Sequence, residues 1–319
     1  MSLNTIKGIF GLEPLSPKLA YRTRVEFWLA WTVIKVLGGM PRRLARAIGG
    51  FIGDLAFFSL KRLRDVGRLN LQRALPEISV AAQTGILRRV YRHLGLQLAE
   101  FSQMPGYSAE IASRFIRYDG LQHYLGARAK GKGVLVLTGH LGAWELSSFY
   151  HSLMGYPMGM VIRRLDNPRV DALVNRIRCL HGNKVLHKDD FARSLLAEMR
   201  AGATVGILMD TNMTPPQGVF VPFFGTLACT ASGLARVARK TGAAVLPGFL
   251  FWEEAEHRYI LHFGEELPIN STGDENRDAW TNTARFTSVI EQYVRRYPDQ
   301  WLWMHRRWKT RPAGEEGIY

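Results

Sequence analysis

From Val134 onward, short apolar runs rich in β-branched residues alternate with segments that repeat apolar residues at helical spacing. This alternation predicts an α/β fold in which a central, mostly parallel sheet is covered by helices on both faces. The predicted strands are Val134–Leu137, Gly159–Ile162, Thr204–Met209, Val219–Phe223, Ala244–Phe251 and Tyr259–Phe263, and the predicted helices are Arg169–His181, Phe191–Arg200, Ala231–Thr241 and Asp278–Arg296.

The chain before this alternation has a different pattern, which indicates mostly helix up to about Phe115. Leu87, Val90, Leu94 and Leu98 recur at helical spacing. We therefore expect two regions, a helical N-terminal region over residues 1–115 and an α/β domain over residues 116–319.

Two apolar stretches, residues 27–40 and 51–60, lie within the N-terminal region, and basic clusters follow both. Each falls short of the ~20 residues that cross a bilayer comfortably. Trp28 and Trp31 are typical of the membrane interface. The pattern predicts a membrane-associating segment near residues 25–60 that lies in, or shallowly inserts into, an anionic membrane surface. The alternatives are a buried helical hairpin and a single tilted span.

The charge balance indicates an anionic partner. Among 319 residues, 42 are Lys or Arg and 27 are Asp or Glu, which gives a formal net charge of +15. Nucleic acid, anionic lipid and an acidic carrier protein all fit this excess. The apolar fraction of 47% is too low for a protein with many membrane spans. The two cysteines form no metal-binding or disulfide pattern, so we expect reduced thiols, no metal and a cytoplasmic setting.

His140 and Glu145 follow the predicted strand Val134–Leu137, at a turn from strand to helix. An imidazole accepts a proton near neutral pH, and a carboxylate can fix its tautomer, so the pair is a candidate for activating a hydroxyl. With nine histidines and 27 acidic residues, roughly one such spacing is expected by chance. The alternative is a turn histidine, with Glu145 compensating the helix dipole.

Ligands of open α/β sheets bind beyond the carboxyl ends of the strands, where both His140 and Asp210 lie. Arg163, Asn167 and Arg178 are candidates for binding phosphates or sugar hydroxyls. Asp210 is expected to orient Arg163 or Arg178, or else to form a turn. The alternative for Asn167 is a helix N-cap, and for Arg178 a solvated or ion-paired surface residue.

Several segments in this order and spacing resemble the bacterial lipid A biosynthesis acyltransferases, the secondary lauroyl and myristoyl transferases. The resemblance runs from about Gly120 to Pro312. The segments that carry it are Gly139–Glu145, Arg163–Pro168, Asp210, Gly218–Gly225, Thr230–Ser232 and Trp301–Pro312.

This resemblance implies a glycerol-3-phosphate-acyltransferase-like sandwich and an enzyme of the inner membrane whose catalytic domain faces the cytoplasm. The implied reaction moves a fatty acyl chain from acyl carrier protein to a hydroxyl of a lipid A precursor. Acyl carrier protein or coenzyme A would carry the acyl group as co-substrate, with no further cofactor and no nucleic-acid partner. We expect His140 to act as the general base and Glu145 to accept a hydrogen bond from the other ring nitrogen. Arg163 and the backbone N–H groups near Gly142 are candidate donors to the oxyanion.

Two departures from the family pattern leave the acceptor open. Arg164 stands where the family often has proline, and residues 211–216 replace an acidic, glycine-containing stretch. A lysophospholipid or another glycolipid is the alternative acceptor. A basic membrane-binding or nucleic-acid-binding protein without enzymatic activity is the second alternative.

Two further segments allow contrasting structural interpretations. Thr230 and Ser232 are expected to cap the helix that begins near Ala231. The aromatic and basic segment from Trp301 to Lys309 fits either contact with a membrane surface or a tail helix that packs its tryptophans on the core.

Overall fold

Helices make up the described part of the chain before the first strand. The computed structural model describes residues 17–187 and 191–319. The N-terminal helices are α1 (Pro17–Gly38), α2 (Arg42–Ser59), α3 (Lys61–Ala74), α4 (Val80–Gln103) and the short α5 (Ala109–Ser113). Helices α1, α2 and α3 all pack against α4. The expected helical character is confirmed over residues 17–115, while residues 1–16 lie outside the described residues and the division into two regions at Phe115 stays a prediction.

Glycines let α2 and α4 approach closely. A Cβ atom on Gly95 of α4 would lie 2.0 Å from the carbonyl oxygen of Gly49 on α2, so neither helix tolerates a side chain at the crossing. None of the described helices is both long enough and apolar enough to cross a membrane.

The remaining chain forms the α/β part. Its strands are β1 (Ile116–Asp119), β2 (Val134–Thr138), β3 (Gly159–Ile162), β4 (Lys184–His187), β5 (Thr204–Leu208), β6 (Gly218–Phe223), β7 (Thr226–Ala231), β8 (Ala244–Glu253) and β9 (Arg258–Phe263). Its helices are α6 (Leu121–Ala129), α7 (Trp144–Leu153), α8 (Pro168–Arg178), α9 (Phe191–Arg200), α10 (Gly233–Thr241) and α11 (Glu275–Arg296).

The described strands build one seven-stranded sheet in the order β1-β9-β8-β2-β5-β3-β4. Every neighbouring pair is parallel except β8 and β9. Strand β2, at the centre of the sheet, contributes side chains to the apolar core on both faces of the sheet. Leu135 and Leu137 pack into one apolar cluster, and Val134 and Val136 pack into another on the opposite face. Because side chains alternate along a strand, a central strand covered on both faces is apolar throughout. The α/β fold, with its mostly parallel sheet, is thus confirmed.

Three details differ from the sequence-based expectations. The predicted strand Val219–Phe223 lies in β6, which pairs only with β7 in a separate antiparallel hairpin among the described strands. Strands β1, β4 and β7 were not predicted. Helix α10 begins at Gly233, and Ser232 at its N-cap makes no side-chain capping hydrogen bond. The expectation that Thr230 and Ser232 cap this helix is therefore wrong, because Thr230 still belongs to β7.

Candidate active site

The sheet register brings His140 and Asp210 together. Strands β2 and β5 are parallel neighbours, and Thr138 pairs with Leu208 at their carboxyl ends. Two residues further along each chain, Nδ1 of His140 and Oδ1 of Asp210 are 2.9 Å apart. The backbone N–H of His140 also donates to Oδ2 of Asp210, over 2.7 Å. Two contacts between the same residues fix the ring and the main chain together.

The turn after β2 has almost no room for movement. Gly142 has a φ of +66°, and a Cβ atom there would lie 2.1 Å from the carbonyl oxygen of Leu250. Its N–H donates to Gln300 O over 3.0 Å, and the next N–H, of Ala143, donates to Leu250 O over 2.7 Å. These two donors are therefore already used, and the expectation that backbone N–H groups near Gly142 receive an oxyanion is wrong for both.

Asp210 is a buried carboxylate with donors on both oxygens. Its side chain is 2% exposed. Trp301 Nε1 donates to Oδ2 over 2.8 Å, in addition to the two contacts from His140. Burial alone would raise the pKa of Asp210, but the charge of His140 and these hydrogen bonds outweigh it and lower the pKa to about 2. Asp210 is consequently ionised at neutral pH.

An ionised Asp210 determines the tautomer of His140. A carboxylate only accepts hydrogen bonds, so Nδ1 carries a proton, and in the neutral ring the lone pair lies on Nε2. Burial lowers the pKa of His140, but the charge and hydrogen bond of Asp210 and the charge of Glu145 outweigh it and raise this pKa above its ordinary value. The side chain of His140 is 24% exposed, so a substrate can approach it. His140 thus combines an oriented ring with an accessible base.

Glu145 binds Arg178 instead of the imidazole. Arg178 Nε donates to Glu145 Oε2 over 2.8 Å, and Nη2 donates to Oε1. Glu145 lies in the first turn of α7, and Arg178 lies in the last turn of α8, which packs against α7. Among the described residues, Nε2 of His140 has no hydrogen-bond partner, so the expected hydrogen bond from His140 to Glu145 is wrong. Asp210 fills that orienting position, and Glu145 acts on the ring through its charge.

The other candidates are spread out. Arg163 is 79% exposed and donates to Asp166 over 2.8 Å.

Asn167 is the N-cap of α8, and its side-chain oxygen accepts from the N–H groups of Arg169 and Val170. Its amide donates to Thr23 O and Glu26 Oε2 on α1. Helix capping is therefore confirmed for Asn167.

Neither proposed partner of Asp210 contacts it. In the described part of the chain, Asp210 bonds only His140 and Trp301, whereas Arg163 and Arg178 each have a carboxylate of their own. The expectation that Asp210 orients Arg163 or Arg178 is therefore wrong. It failed although β3, which ends just before Arg163, is a neighbour of β5, because the exposed side chain of Arg163 binds Asp166 and Arg178 on α8 binds Glu145.

The segment from Trp301 to Lys309 packs into the core, although it is not a helix. Trp301, Trp303 and Trp308 are fully buried. The backbone N–H of Leu302 donates to His140 O over 3.0 Å. Core packing, and not membrane contact, is thus the correct alternative for these tryptophans.

Arg307, within this segment, is a buried cation close to the site. Its Nη1 donates to Cys229 O over 3.0 Å and to Thr211 O over 3.3 Å, and Nη2 donates to Thr230 Oγ1. Burial lowers its pKa to about 10. Through these hydrogen bonds, Arg307 connects Thr211, the residue after Asp210, to strand β7.

His93 was missed by the sequence analysis. It is buried on α4, is hydrogen-bonded to the backbone of Gly142, and burial lowers its pKa to about 4. Its position between Val90 and Leu94, on the apolar face of α4, was the available signal. His93 supports the turn that carries His140 from the opposite side.

Comparison with known proteins identifies the family of the chain. The family model for bacterial lipid A biosynthesis acyltransferases matches residues 13–310. The chain is 28% identical over 298 residues to a lipid A biosynthesis palmitoleoyltransferase of Escherichia coli strain K12, covering 92% of this chain and 95% of the relative.

Two further relatives from the same strain are similar over comparable lengths. A lipid A biosynthesis lauroyltransferase is 27% identical, covering 92% of this chain and 95% of the relative. A lipid A biosynthesis myristoyltransferase is 24% identical, covering 91% and 90%. The resemblance inferred from the motifs is confirmed, and the chain belongs to the bacterial lipid A biosynthesis acyltransferase family and is an acyltransferase.

Proposed function

We propose that the protein transfers a fatty acyl chain from acyl carrier protein to a hydroxyl of a lipid A precursor at the inner face of the cytoplasmic membrane. The observation that carries the proposal is the hydrogen bond between Nδ1 of His140 and Asp210, in a chain that matches this family over nearly its whole length. We also propose that the sheet is of the glycerol-3-phosphate-acyltransferase type.

The chemistry requires only one base. Nε2 of His140 accepts the proton of the acceptor hydroxyl while the hydroxyl oxygen attacks the thioester carbonyl carbon. The new C–O bond forms, the C–S bond breaks, and the imidazolium returns its proton to the leaving thiolate. Asp210 stays ionised and stabilises the imidazolium. The products are an ester and a free carrier thiol, so atoms and protons balance.

The net charge of the chain supports acyl carrier protein as the acyl donor. The net charge of +15 suits an acidic carrier, since complementary charge steers encounter between proteins. Coenzyme A is the smaller alternative donor, and comparing kcat/KM for the two thioesters with one acceptor distinguishes them.

Membrane association is supported by apolar stripes on two N-terminal helices. On α2, Leu44, Phe51, Leu55 and Phe58 recur along one exposed face, and Phe51 is 67% exposed. A comparable stripe on α1 contains Tyr21, Val25, Trp28, Leu29 and Val36. Exposed apolar patches of this kind mark interaction surfaces. A double variant, F51S/F58S, should release the protein from vesicles of anionic phospholipid without unfolding it.

The decisive experiment is His140→Ala with an exposed histidine as control. His257 has a side chain that is 79% exposed and lies outside the site, so His257→Ala should leave transfer unchanged. Loss of the base should lower kcat by about 10²–10⁴-fold. Product is measured by mass spectrometry after incubation with acyl carrier thioester and lipid A precursor. Full activity in His140→Ala would remove His140 from the mechanism.

The same assay tests the acceptor. A lysophospholipid and an unrelated glycolipid are offered in place of the lipid A precursor, with the thioester unchanged. Acylation of either in preference to the precursor would replace the proposed acceptor and leave the acyltransferase chemistry standing.

A further inference from the structure

A cavity of about 490 Å³, shallow and wide open to solvent, lies between α3 and the C-terminal segment. Lys61 and Arg62 line it from the first turn of α3, and Arg306 and Tyr319 line it from the other side. Most of its surface is apolar, with cations at its edge, so the cavity suits a ligand that joins an anionic group to a hydrocarbon part.

The three cations have no carboxylate partner among the described residues. The single acidic side chain in the lining, Asp65, forms an ion pair at 3.6 Å with Arg68 of the same helix. An unpaired cluster of Lys61, Arg62 and Arg306 therefore leaves a local positive charge. Ammonium and guanidinium groups bind phosphate oxygens through charge-assisted hydrogen bonds.

The surroundings of the cavity point to a lipid. Leu60 and Leu63, which flank Lys61 and Arg62 in sequence, are 46% and 43% exposed. Phe58, two residues before Leu60, is also exposed on α2. Exposed apolar residues beside clustered cations are the arrangement that binds anionic headgroups at a membrane surface.

The cavity is connected to the catalytic dyad by a short stretch of chain. Leu302 bonds the backbone of His140, and Arg306 is four residues further on. Four residues span at most about 14 Å. Asn70 of α3 fixes this stretch by donating to the carbonyls of Trp303 and His305, both over 2.7 Å. The backbone of Arg306 therefore lies within roughly 14 Å of the backbone of Leu302, which contacts His140.

We propose that this cavity binds a phosphate of the lipid acceptor while a hydroxyl of the same molecule lies at Nε2 of His140. The inference rests on the proposed function, because it assigns a site on this chain to the phosphate of the proposed acceptor. Lys61, Arg62 and Arg306 neutralise the phosphate, and the apolar residues beside them contact its acyl chains.

The test compares Lys61→Gln/Arg306→Gln with Arg68→Gln, which lies on the same helix but already has Asp65 as partner. Binding is measured by flotation with phosphatidylcholine vesicles that contain either phosphorylated lipid A precursor or the same lipid after phosphatase treatment. The double variant should lose about tenfold in affinity for the phosphorylated lipid, as expected for the loss of charge-assisted hydrogen bonds, and nothing for the dephosphorylated lipid. Arg68→Gln should bind both as the unmodified protein does.

Kinetics give an independent measurement. The KM for the phosphorylated acceptor should rise by a similar factor, with the KM for the acyl carrier unchanged. A rise in the carrier KM alone would make the cavity a docking site for the carrier, and equal binding by all three proteins would also overturn the proposal. Because flotation needs no turnover, it decides the question even if the protein does not acylate this lipid, an outcome that would contradict only the proposed function.

Discussion

The indole N–H of Trp301 donates to Oδ2 of Asp210, the same oxygen that accepts the backbone N–H of His140. Trp301 reaches this oxygen from a segment nearly a hundred residues after Asp210, and the segment is buried along most of its length. The C-terminal segment therefore belongs to the support of the dyad.

Replacing Trp301 by Phe should separate hydrogen bonding from ring packing. A hydrogen bond to a charged group contributes about 1.5–3 kcal/mol, so Trp301→Phe should lower both the free energy of unfolding and kcat/KM. The matched control is Trp303→Phe, because Trp303 is equally buried but donates to the neutral carbonyl of Pro298. Urea unfolding and transfer rates are measured for both. If Trp303→Phe reduced activity per folded molecule as much as Trp301→Phe, packing alone would explain the effect.

Asp210→Asn should affect both the rate and its pH dependence. Asparagine keeps the shape but loses the charge that fixes the tautomer of His140, so kcat/KM should fall by about 10²–10⁴-fold. His140 acts when neutral, so kcat/KM of the unmodified protein should rise with pH through the raised pKa of His140. Without the carboxylate this pKa falls, and the midpoint of the residual activity should move to lower pH. An unchanged midpoint would show that the charge of Asp210 does not raise the pKa of His140.

Glu145→Gln should have a smaller effect than Asp210→Asn. Glu145 touches Arg178, not His140, and raises the pKa of His140 through its charge alone. We expect a modest fall in kcat/KM and a small downward shift of the pH midpoint, measured in the same assay. A loss as large as that of Asp210→Asn, in a variant with an unchanged far-ultraviolet spectrum and unfolding curve, would give Glu145 a direct part in the reaction.

Gly142→Ala should prevent the turn from forming. The substitution requires φ of +66° in a residue with a side chain, and it brings the Cβ atom against Leu250 O. Gly126→Ala is the control, because nothing lies within 4 Å of a Cβ atom there and alanine favours helix by about 1 kcal/mol. Thermal unfolding should move in opposite directions for the two variants. Equal stability of Gly142→Ala and the unmodified protein would mean that the turn adapts.

The sequence singled out His140 but not the carboxylate that contacts its ring. His140 and Asp210 were both recognised because each follows a buried strand, which is a local pattern. Their contact depends on β2 and β5 being neighbours, although β3 and β4 lie between them in sequence. Glu145 is close to His140 in sequence but lies on the first turn of a helix, where its side chain meets Arg178 of another helix. Proximity in sequence therefore favoured the wrong carboxylate.

Two of the three missed strands share a physical cause. Strands β1 and β4 are the two edges of the sheet, have four residues each, and carry charged side chains at exposed positions. An edge strand pairs on one side only, so it needs no continuous apolar run and leaves a weak pattern in the sequence. The five strands between these edges were all predicted, since each contains buried apolar residues, continuous in β2 and alternating in β9.

Because β2 and β5 pair through their backbones, the contact between His140 and Asp210 either forms completely or does not form. Slipping one strand past the other by a residue reverses which face its side chains occupy, so no intermediate arrangement is available. Substitutions in the core beneath these strands should therefore lower the fraction of correctly folded protein. Each folded molecule should keep the kcat of the unmodified protein.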